Sequence, residues 1–345
     1  MRLHQLGNSE LRVSEICLGT MTFGQQNTLE EAHEQLDFAV ERGVNFIDAA
    51  EMYPVPARAE TQGSTERHIG EWLARRARDK VIVATKIAGP GRPTQWVRGG
   101  SLAINRKNVR QAVTDSLRRL KTDYIDLYQI HWPDRYVPQF GATVYEPESE
   151  RSSTPTAEQI EAIGELIKEG KIRYWGLSNE TAWGVTDFVR TAKQLGQPQP
   201  ITIQNAYNLV NRHYDAALAE AGRRENVDLI PYSPLAFGLL SGKYVDGIPA
   251  NTRISLFDNF GARYRKPNVD EAVAAYVKIA KKHGITPAHL ALAFVRSRWF
   301  VKSTIIGATR ISQLEENLSS LEVELSAEVL AELDAVHARY PSPAP

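Results

Sequence analysis

Eight short apolar runs recur along this chain, each followed by a stretch with the apolar spacing of an amphipathic helix. The runs are Ile16–Leu18, the stretch from Val44 that ends on Asp48, Val81–Thr85, Tyr124–Ile130, Tyr174–Leu177, Ile201–Gln204, Val227–Tyr232 and Ser303–Ile306. Helices are expected after Thr28, whose pairing with Glu31 reads as a capping box and whose apolar face Leu29, Ala32, Leu36, Ala39 and Val40 closes at Gly43. Others are expected over 64–77, 107–120, after Thr156 paired with Gln159, over 183–195, 214–224, 271–282 and 288–295, after Ser312 paired with Glu315, and over 327–339. Strand and helix alternating eight times is the count of a (β/α)₈ TIM barrel, an α/β fold whose chemistry sits at the C-terminal strand ends.

Two additions frame the repeat. Residues 2–13 alternate weakly around Gly7-Asn8-Ser9, which predicts a short N-terminal β-hairpin, and the helix over 327–339 is an extra C-terminal one before a Pro-Ser-Pro-Ala-Pro tail expected to fray. Barrels of this length are commonly one unit, so residues 1–345 are expected to form a single domain. Three connections, Pro54–Gly63, Trp132–Pro155 and Ala236–Pro267, exceed the usual loop length and all leave C-terminal strand ends, where they would surround a pocket.

Charge and cysteine usage narrow the partners. Forty-one Lys plus Arg balance 41 Asp plus Glu, so no global field draws nucleic acid or an anionic membrane, and a charged ligand must be met locally. The lone Cys17 lies in an apolar run and suits a buried thiol in a reducing compartment. The N-terminus lacks a signal-peptide core, and no apolar stretch is long enough to span a bilayer, so a cytoplasmic protein is expected.

The strand ends deliver polar groups where a structural strand could simply stop: Gly19-Thr20-Met21, Asp48 with Tyr53, Lys86, His131, Ser178-Asn179, Gln204-Asn205, Tyr232-Ser233 and Gly307. Taken singly, a Tyr there packs, a Lys is solvated, a His is a satisfied rim residue and an Asp caps a turn. Taken together, Asp48, Tyr53, Lys86 and His131 form a proton-transfer set. A phenol needs a nearby ammonium to act near neutrality, and each unit of pKa lowering requires about 1.4 kcal/mol. Lys86 is positioned to be that ammonium, Asp48 to orient it, and His131 to hydrogen-bond a carbonyl oxygen or pass a proton.

Rival motifs fail on spacing. Gly89-Pro90-Gly91 is followed by Arg92-Pro93-Thr94 rather than by a dinucleotide fingerprint, and Gly238 to Lys243 misses a phosphate loop by one residue. His33-Glu34 meets Asp37 where a zincin needs His, and Gly176 to Glu180 lacks the last glycine of a nucleophile elbow, so no metal is expected. The basic run over 75–80 reads as a solvated helix end.

From Leu18-Gly19-Thr20-Met21-Thr22-Phe23-Gly24 through Ile305-Ile306-Gly307-Ala308-Thr309 the chain resembles the aldo-keto reductases. Ala50-Glu51-Met52-Tyr53-Pro54-Val55-Pro56, Glu60-Thr61-Gln62-Gly63 and Ile130-His131-Trp132-Pro133 are similar to its Tas-like bacterial branch, near the potassium-channel β-subunit-like members. The resemblance implies NADPH-dependent reduction of a small-molecule aldehyde or ketone, with Tyr53 as general acid, Lys86 lowering its pKa, Asp48 supporting Lys86, and His131 orienting the carbonyl. It further implies that Ser178, Asn179 and Gln204 hold the cofactor's carboxamide, with Tyr232 on the nicotinamide ring. Ser233, Leu235 and Lys243 would follow the pyrophosphate, Arg253 the 2′-phosphate, and Gly307, Thr309, Gln313, Glu316 and Asn317 the adenosine end. Gly19, Thr20, Met21 and Asp48 are counted with these NADPH/NADP contacts.

Two alternatives stay open under the same resemblance: a nicotinamide-nucleotide-sensing regulatory subunit, and an alcohol or sugar dehydrogenase working oxidatively. The channel-subunit branch carries Asn where this chain has His131, which favours the enzyme. The segment Pro54–Gly63 departs from the common family pattern. The loop over 132–155 matches none, and its Trp132, Tyr136, Phe140 and Tyr145 either line an apolar pocket or pack the loop onto the rim.

Overall fold

In a computed structural model the chain describes residues 1–245, 247–250, 252–257 and 261–345. The hairpin comes first, β1 (Leu3–Gln5) antiparallel to β2 (Arg12–Ser14). The repeat follows as β3 (Ile16–Gly19), α1 (Leu29–Glu41), β4 (Phe46–Asp48), α2 (Ser64–Leu73), β5 (Ile82–Ile87), α3 (Arg106–Leu120), β6 (Ile125–Ile130), α4 (Thr156–Lys168), β7 (Ile172–Ser178), α5 (Ala182–Leu195), β8 (Thr202–Gln204), α6 (Ala217–Glu225) and β9 (Asp228–Leu229). A one-turn α7 (Arg253–Leu256) precedes α8 (Val269–Lys282), α9 (Pro287–Arg296), β10 (Thr304–Ile306), α10 (Ile311–Ser319) and α11 (Ala327–Arg339).

The eight strands β3 to β10 pair in parallel in sequence order, with β10 beside β3. Closure between β9 and β10 comes from Leu229 bridging Val301 and from Ile305 N–H donating to the Pro231 carbonyl at 2.9 Å. This is the (β/α)₈ barrel. Strand alternation divides its residues cleanly. Ile47, Val83, Tyr128 and Ile203 face the helix ring, while Phe46, Ala84, Leu127 and Ile305 fill the interior with Cys17. The hairpin closes the lower end by adding Leu6, Leu11 and Val13 to that interior cluster.

One pleat further along the same inward face, apolar residues give way to polar ones: Phe46 to Asp48, Ala84 to Lys86, Leu127 to Gln129. Register sets Lys86 against Gln129 and Ser178 against Gln204, so the polar layer is level around the barrel. The apolar floor excludes water from beneath it.

Several local expectations need correction. Thr28 and Glu31 do form a reciprocal capping box, but Thr156 is the first residue of α4 rather than its cap, its hydroxyl donating to Asp187 at 2.7 Å, and Gln159 bonds the Thr154 carbonyl. Arg310, not Ser312, caps α10, with no side-chain bond. The C-terminal tail is docked rather than frayed: Ala344 is fully buried and its N–H donates to the Val210 carbonyl, while the Ser342 hydroxyl accepts from Arg212 N–H.

Candidate active site

Asp48, Tyr53, Lys86 and His131 meet at the upper barrel mouth. Lys86 Nζ is fully buried and lies 2.7 Å from Asp48 Oδ2 and 2.6 Å from the Ala49 carbonyl. Asp48 Oδ1 accepts from the amides of Gln204 at 2.9 Å and Gln129 at 3.3 Å, so the carboxylate is satisfied on both sides. Thr20 then fixes the strand carrying it, its N–H and hydroxyl both donating to the Asp48 carbonyl.

The Tyr53 ring lies with its centroid 4.9 Å from Lys86 Nζ and 5.6 Å from the His131 ring, edge on to the imidazole. Burial pushes the phenol pKa up and Asp48 adds to this, while Lys86 pulls it down. Lys86 therefore lowers the phenol pKa as expected, but the net direction is upward because burial outweighs it, with Asp48 adding to the rise. Burial alone would pull Lys86 down, yet Asp48 and the phenol hold it above the ordinary lysine range. His131 is driven well below the usual histidine value by burial, reinforced by the charges of Lys86 and Arg92. Its imidazole is therefore neutral, and its buried Nδ1 has no hydrogen-bond partner among the described residues. The mouth thus holds a protonated phenol and a neutral imidazole side by side, a pair able to donate hydrogen bonds to one oxygen.

A clamp that sequence reasoning missed holds the turn before Tyr53. The buried carboxylate of Glu51 accepts from Ala88 N–H at 2.6 Å and from Arg98, which also donates to the Ala88 carbonyl. The Glu51 N–H bonds the Lys86 carbonyl, so the strand ends bearing Tyr53 and Lys86 are tied together. The segment over 54–63 is tied back too, through Gly63 N–H to the Tyr53 carbonyl and Val55 N–H to the Met21 carbonyl.

A model of the aldo/keto reductase family matches residues 15–338. The chain belongs to the aldo/keto reductase family. This aldo/keto reductase is 49% identical to Protein tas of Escherichia coli strain K12 across 100% of both chains. It is 40% identical to an aldo-keto reductase of Babesia bovis over 69% of this chain and 88% of that one. It is also 33% identical to a probable voltage-gated potassium channel subunit beta of Arabidopsis thaliana over 94% and 92%. It is an oxidoreductase of the type that generally draws on NADP(H).

Around the mouth of this reductase, Ser178, Asn179, Gln204 and Tyr232 form one hydrogen-bonded group. Ser178 donates to the Gln204 carbonyl, Asn179 donates to the His131 carbonyl at 2.8 Å, and the Tyr232 hydroxyl donates to Asn179 Oδ1 at 2.7 Å. Asn179 and Ser233 take positive φ, which turns the chain sharply out of the strands. Both hydrogens of the Gln204 amide are engaged, by Asp48 and Gln129, leaving its oxygen as the free function.

The remaining expected residues lie further out, in separate groups. Lys243 reaches back over Gly238, where an added Cβ would meet its Nζ at 3.0 Å. Arg253 stands over the Phe237 ring at 5.6 Å, and burial pulls its pKa down. Neither makes an ion pair among the described residues. Gln313 accepts from the Thr309 N–H and hydroxyl beside Gly307, Asn317 is buried, and Glu316 is exposed. No hydrogen bond or ion pair joins Arg253 to the Thr309–Gln313 pair among the described residues. Residues 246, 251 and 258–260 of the long loop over 236–267 lie outside the description.

The aromatic residues of the loop over 132–155 divide. Trp132 packs against Ala50, Met52 and Ala88 with Tyr53 alongside, whereas Tyr136 and Tyr145 pack on each other at 5.3 Å. An open cleft of about 680 Å³ between 90–93 and 100–103 contains none of the mouth tetrad. His283, Glu328 and Glu332 gather on the outer surface, and Lys282 already stands 2.6 Å from Glu332. Among the described residues no helix is long and apolar enough to cross a membrane.

Proposed function

We propose that this barrel, acting as one unit, reduces an aldehyde or ketone to an alcohol with NADPH, using Tyr53 as the general acid. The observation that carries the reading is the buried Lys86–Asp48 pair beneath Tyr53, beside a neutral His131 whose Nδ1 lacks a partner among the described residues. His131 donates a hydrogen bond that fixes the carbonyl oxygen, and Tyr53 gives its proton to that oxygen as negative charge develops. A phenol pKa held above its ordinary value suits this direction, because the donor must enter the reaction protonated. Lys86 then stabilises the phenolate left behind, and Asp48 with Gln129 and Gln204 keeps the ammonium in place.

NADPH, when bound, supplies the hydride. The residues present fit such a group: Ser178, Asn179 and the free oxygen of Gln204 would receive the carboxamide, and Tyr232 would face the ring. Ser233, Leu235 and Lys243 would follow the pyrophosphate, and Gly307, Thr309, Gln313, Glu316 and Asn317 the adenosine. Arg253, whose neighbours among the described residues are aromatic rings rather than carboxylates, suits a phosphate dianion better than a neutral ribose hydroxyl.

Tyr53→Phe should lower turnover about 10²- to 10⁴-fold while NADPH affinity, read by protein fluorescence, is nearly retained. Equal activity in the two proteins would remove the assignment. Similarity to a channel β subunit supports a second reading, a nucleotide-sensing subunit. Saturable NADPH binding with no turnover of any carbonyl would decide for it.

A further inference from the structure

Several buried or half-buried cations among the described residues come with carboxylates. Lys86 has Asp48, Arg98 has Glu51, Arg119 has Glu66 at 2.6 Å, and Arg135 has Glu180 in a bidentate pair. Arg92 and Arg263 break the pattern. Arg263 is 8% exposed and Arg92 half-buried, and neither forms an ion pair among the described residues.

Their positions are more telling than their lack of acids. Both guanidinium groups lie on one ring, that of Phe140, at 4.1 Å for Arg92 and 5.3 Å for Arg263. Arg92 also lies 5.5 Å from the Trp132 ring, which packs at 4.7 Å against His131. Tyr232 favours the charged form of both Arg263 and Arg92, and the charge of Arg92 helps to hold the His131 pKa down. Three loops bring this about: the one after β5 carries Arg92, the one after β6 carries Phe140, and the one after β9 carries Arg263. The last two are joined where Lys266 donates to the Gly141 carbonyl. Two like charges on one aromatic platform repel each other and burial desolvates both, costs that an anion shared between them would offset, even though Tyr232 and Tyr264 favour the charged form of Arg263.

We infer that Arg92 and Arg263 form an anion-binding pair at the mouth, and that the carbonyl substrate carries an anionic oxygen group, a carboxylate, held there while its carbonyl meets Tyr53 and His131. This rests on the reductase reading above and adds the substrate class to it. Two guanidinium forks on an aromatic platform accept a planar carboxylate by charge-assisted hydrogen bonds. Phosphate on the cofactor is the other source of the same chemistry.

The test compares p-carboxybenzaldehyde with its neutral isostere p-carbamoylbenzaldehyde, under saturating NADPH, in the wild-type protein and in Arg92→Met and Arg263→Met. The affinities of the two corresponding alcohols for the NADP-loaded protein are measured alongside by calorimetry. The wild-type protein should favour the charged aldehyde in kcat/KM, and the charged alcohol in affinity, by about 10- to 100-fold. Each variant should bring both ratios close to unity with little change in the Kd of NADPH. Equal handling of charged and neutral compounds by the wild-type protein, or a loss common to both in the variants, would overturn the anion pair while leaving the reductase reading intact. A rise in the NADPH Kd matching the lost turnover would assign the arginines to the cofactor and also overturn it. Absence of turnover with both aldehydes would overturn the reductase reading, and the alcohol affinities would still decide the arginine pair.

Discussion

Lys86 and Arg92 are both cations at one mouth, yet they are built in opposite ways. Lys86 is wholly buried and finds Asp48 and the Ala49 carbonyl within 2.7 Å, on strands whose register fixes both. Arg92 sits on a loop, half-buried against the rings of Trp132 and Phe140, with no carboxylate among the described residues. A cation whose charge is met inside the protein belongs to the permanent machinery. One whose charge is met by rings alone is left with binding capacity for something that arrives. Lys243 and Arg253 fall on the second side of that division, and Glu51–Arg98 falls on the first.

The sharpest way to break the comparison is to remove the internal partner. Lys86→Met leaves Asp48 buried without its counter-charge, and breaking such a pair costs about 3–5 kcal/mol. Urea unfolding should show that loss together with loss of turnover. Replacing both members, Lys86→Met with Asp48→Leu, should recover much of the stability and none of the turnover, since paired buried charges are poor net stabilisers. If the single variant is as stable as the parent, the pair is not the permanent element described here.

Next in size is the contrasting case. Arg253→Ala removes a cation with no ion-pair partner among the described residues, so stability should move by no more than about 0.5 kcal/mol. Affinity for NADPH should fall by about 10- to 100-fold, and affinity for NADH should barely change. A fluorescence titration with both nucleotides reads the difference. Equal weakening toward both would show that Arg253 does not discriminate by the 2′-phosphate.

How far each side was legible in the sequence follows the same division. The barrel was readable because strand and helix periods repeat eight times and each helix buries its own stripe. Asp48, Lys86 and His131 were readable because strand ends declare themselves. Gln129 was hidden inside an apolar run, and only its register opposite Lys86 shows that it points inward at Asp48. The Glu51–Arg98 clamp spans 47 residues, and nothing in either local pattern joins them. Arg92 and Arg263 were missed for the same reason, because their meeting at Phe140 depends on how three loops cross. The two misread caps failed on a finer point: a Ser or Thr followed by Glu or Gln at the right spacing forms a box only if it stands just outside the helix, and Thr156 and Ser312 stand inside.

The smallest predicted effect concerns the mouth group that carries no charge at all. Burial and the neighbouring charges of Lys86 and Arg92 depress His131 well below 6.5, so in the folded protein it stays neutral where the unfolded chain would protonate it. Below that value the unfolded state binds the extra proton, and stability therefore falls as pH falls. His68, His213 and His337 are depressed as well, each with burial as the leading cause, and push in the same direction. Between pH 7.5 and 5.5 the His131 share should be about 1.4 kcal/mol, the value of one pKa unit. His131→Asn should flatten the stability profile over that interval by about this amount, read as the difference between the two urea midpoints at each pH. An unchanged slope would mean that the imidazole gains a proton in the folded mouth. Beside Lys86 and Arg92 that charge would make His131 a third cation in need of an anion, and the line drawn between partnered and unpartnered groups would have to move to include it.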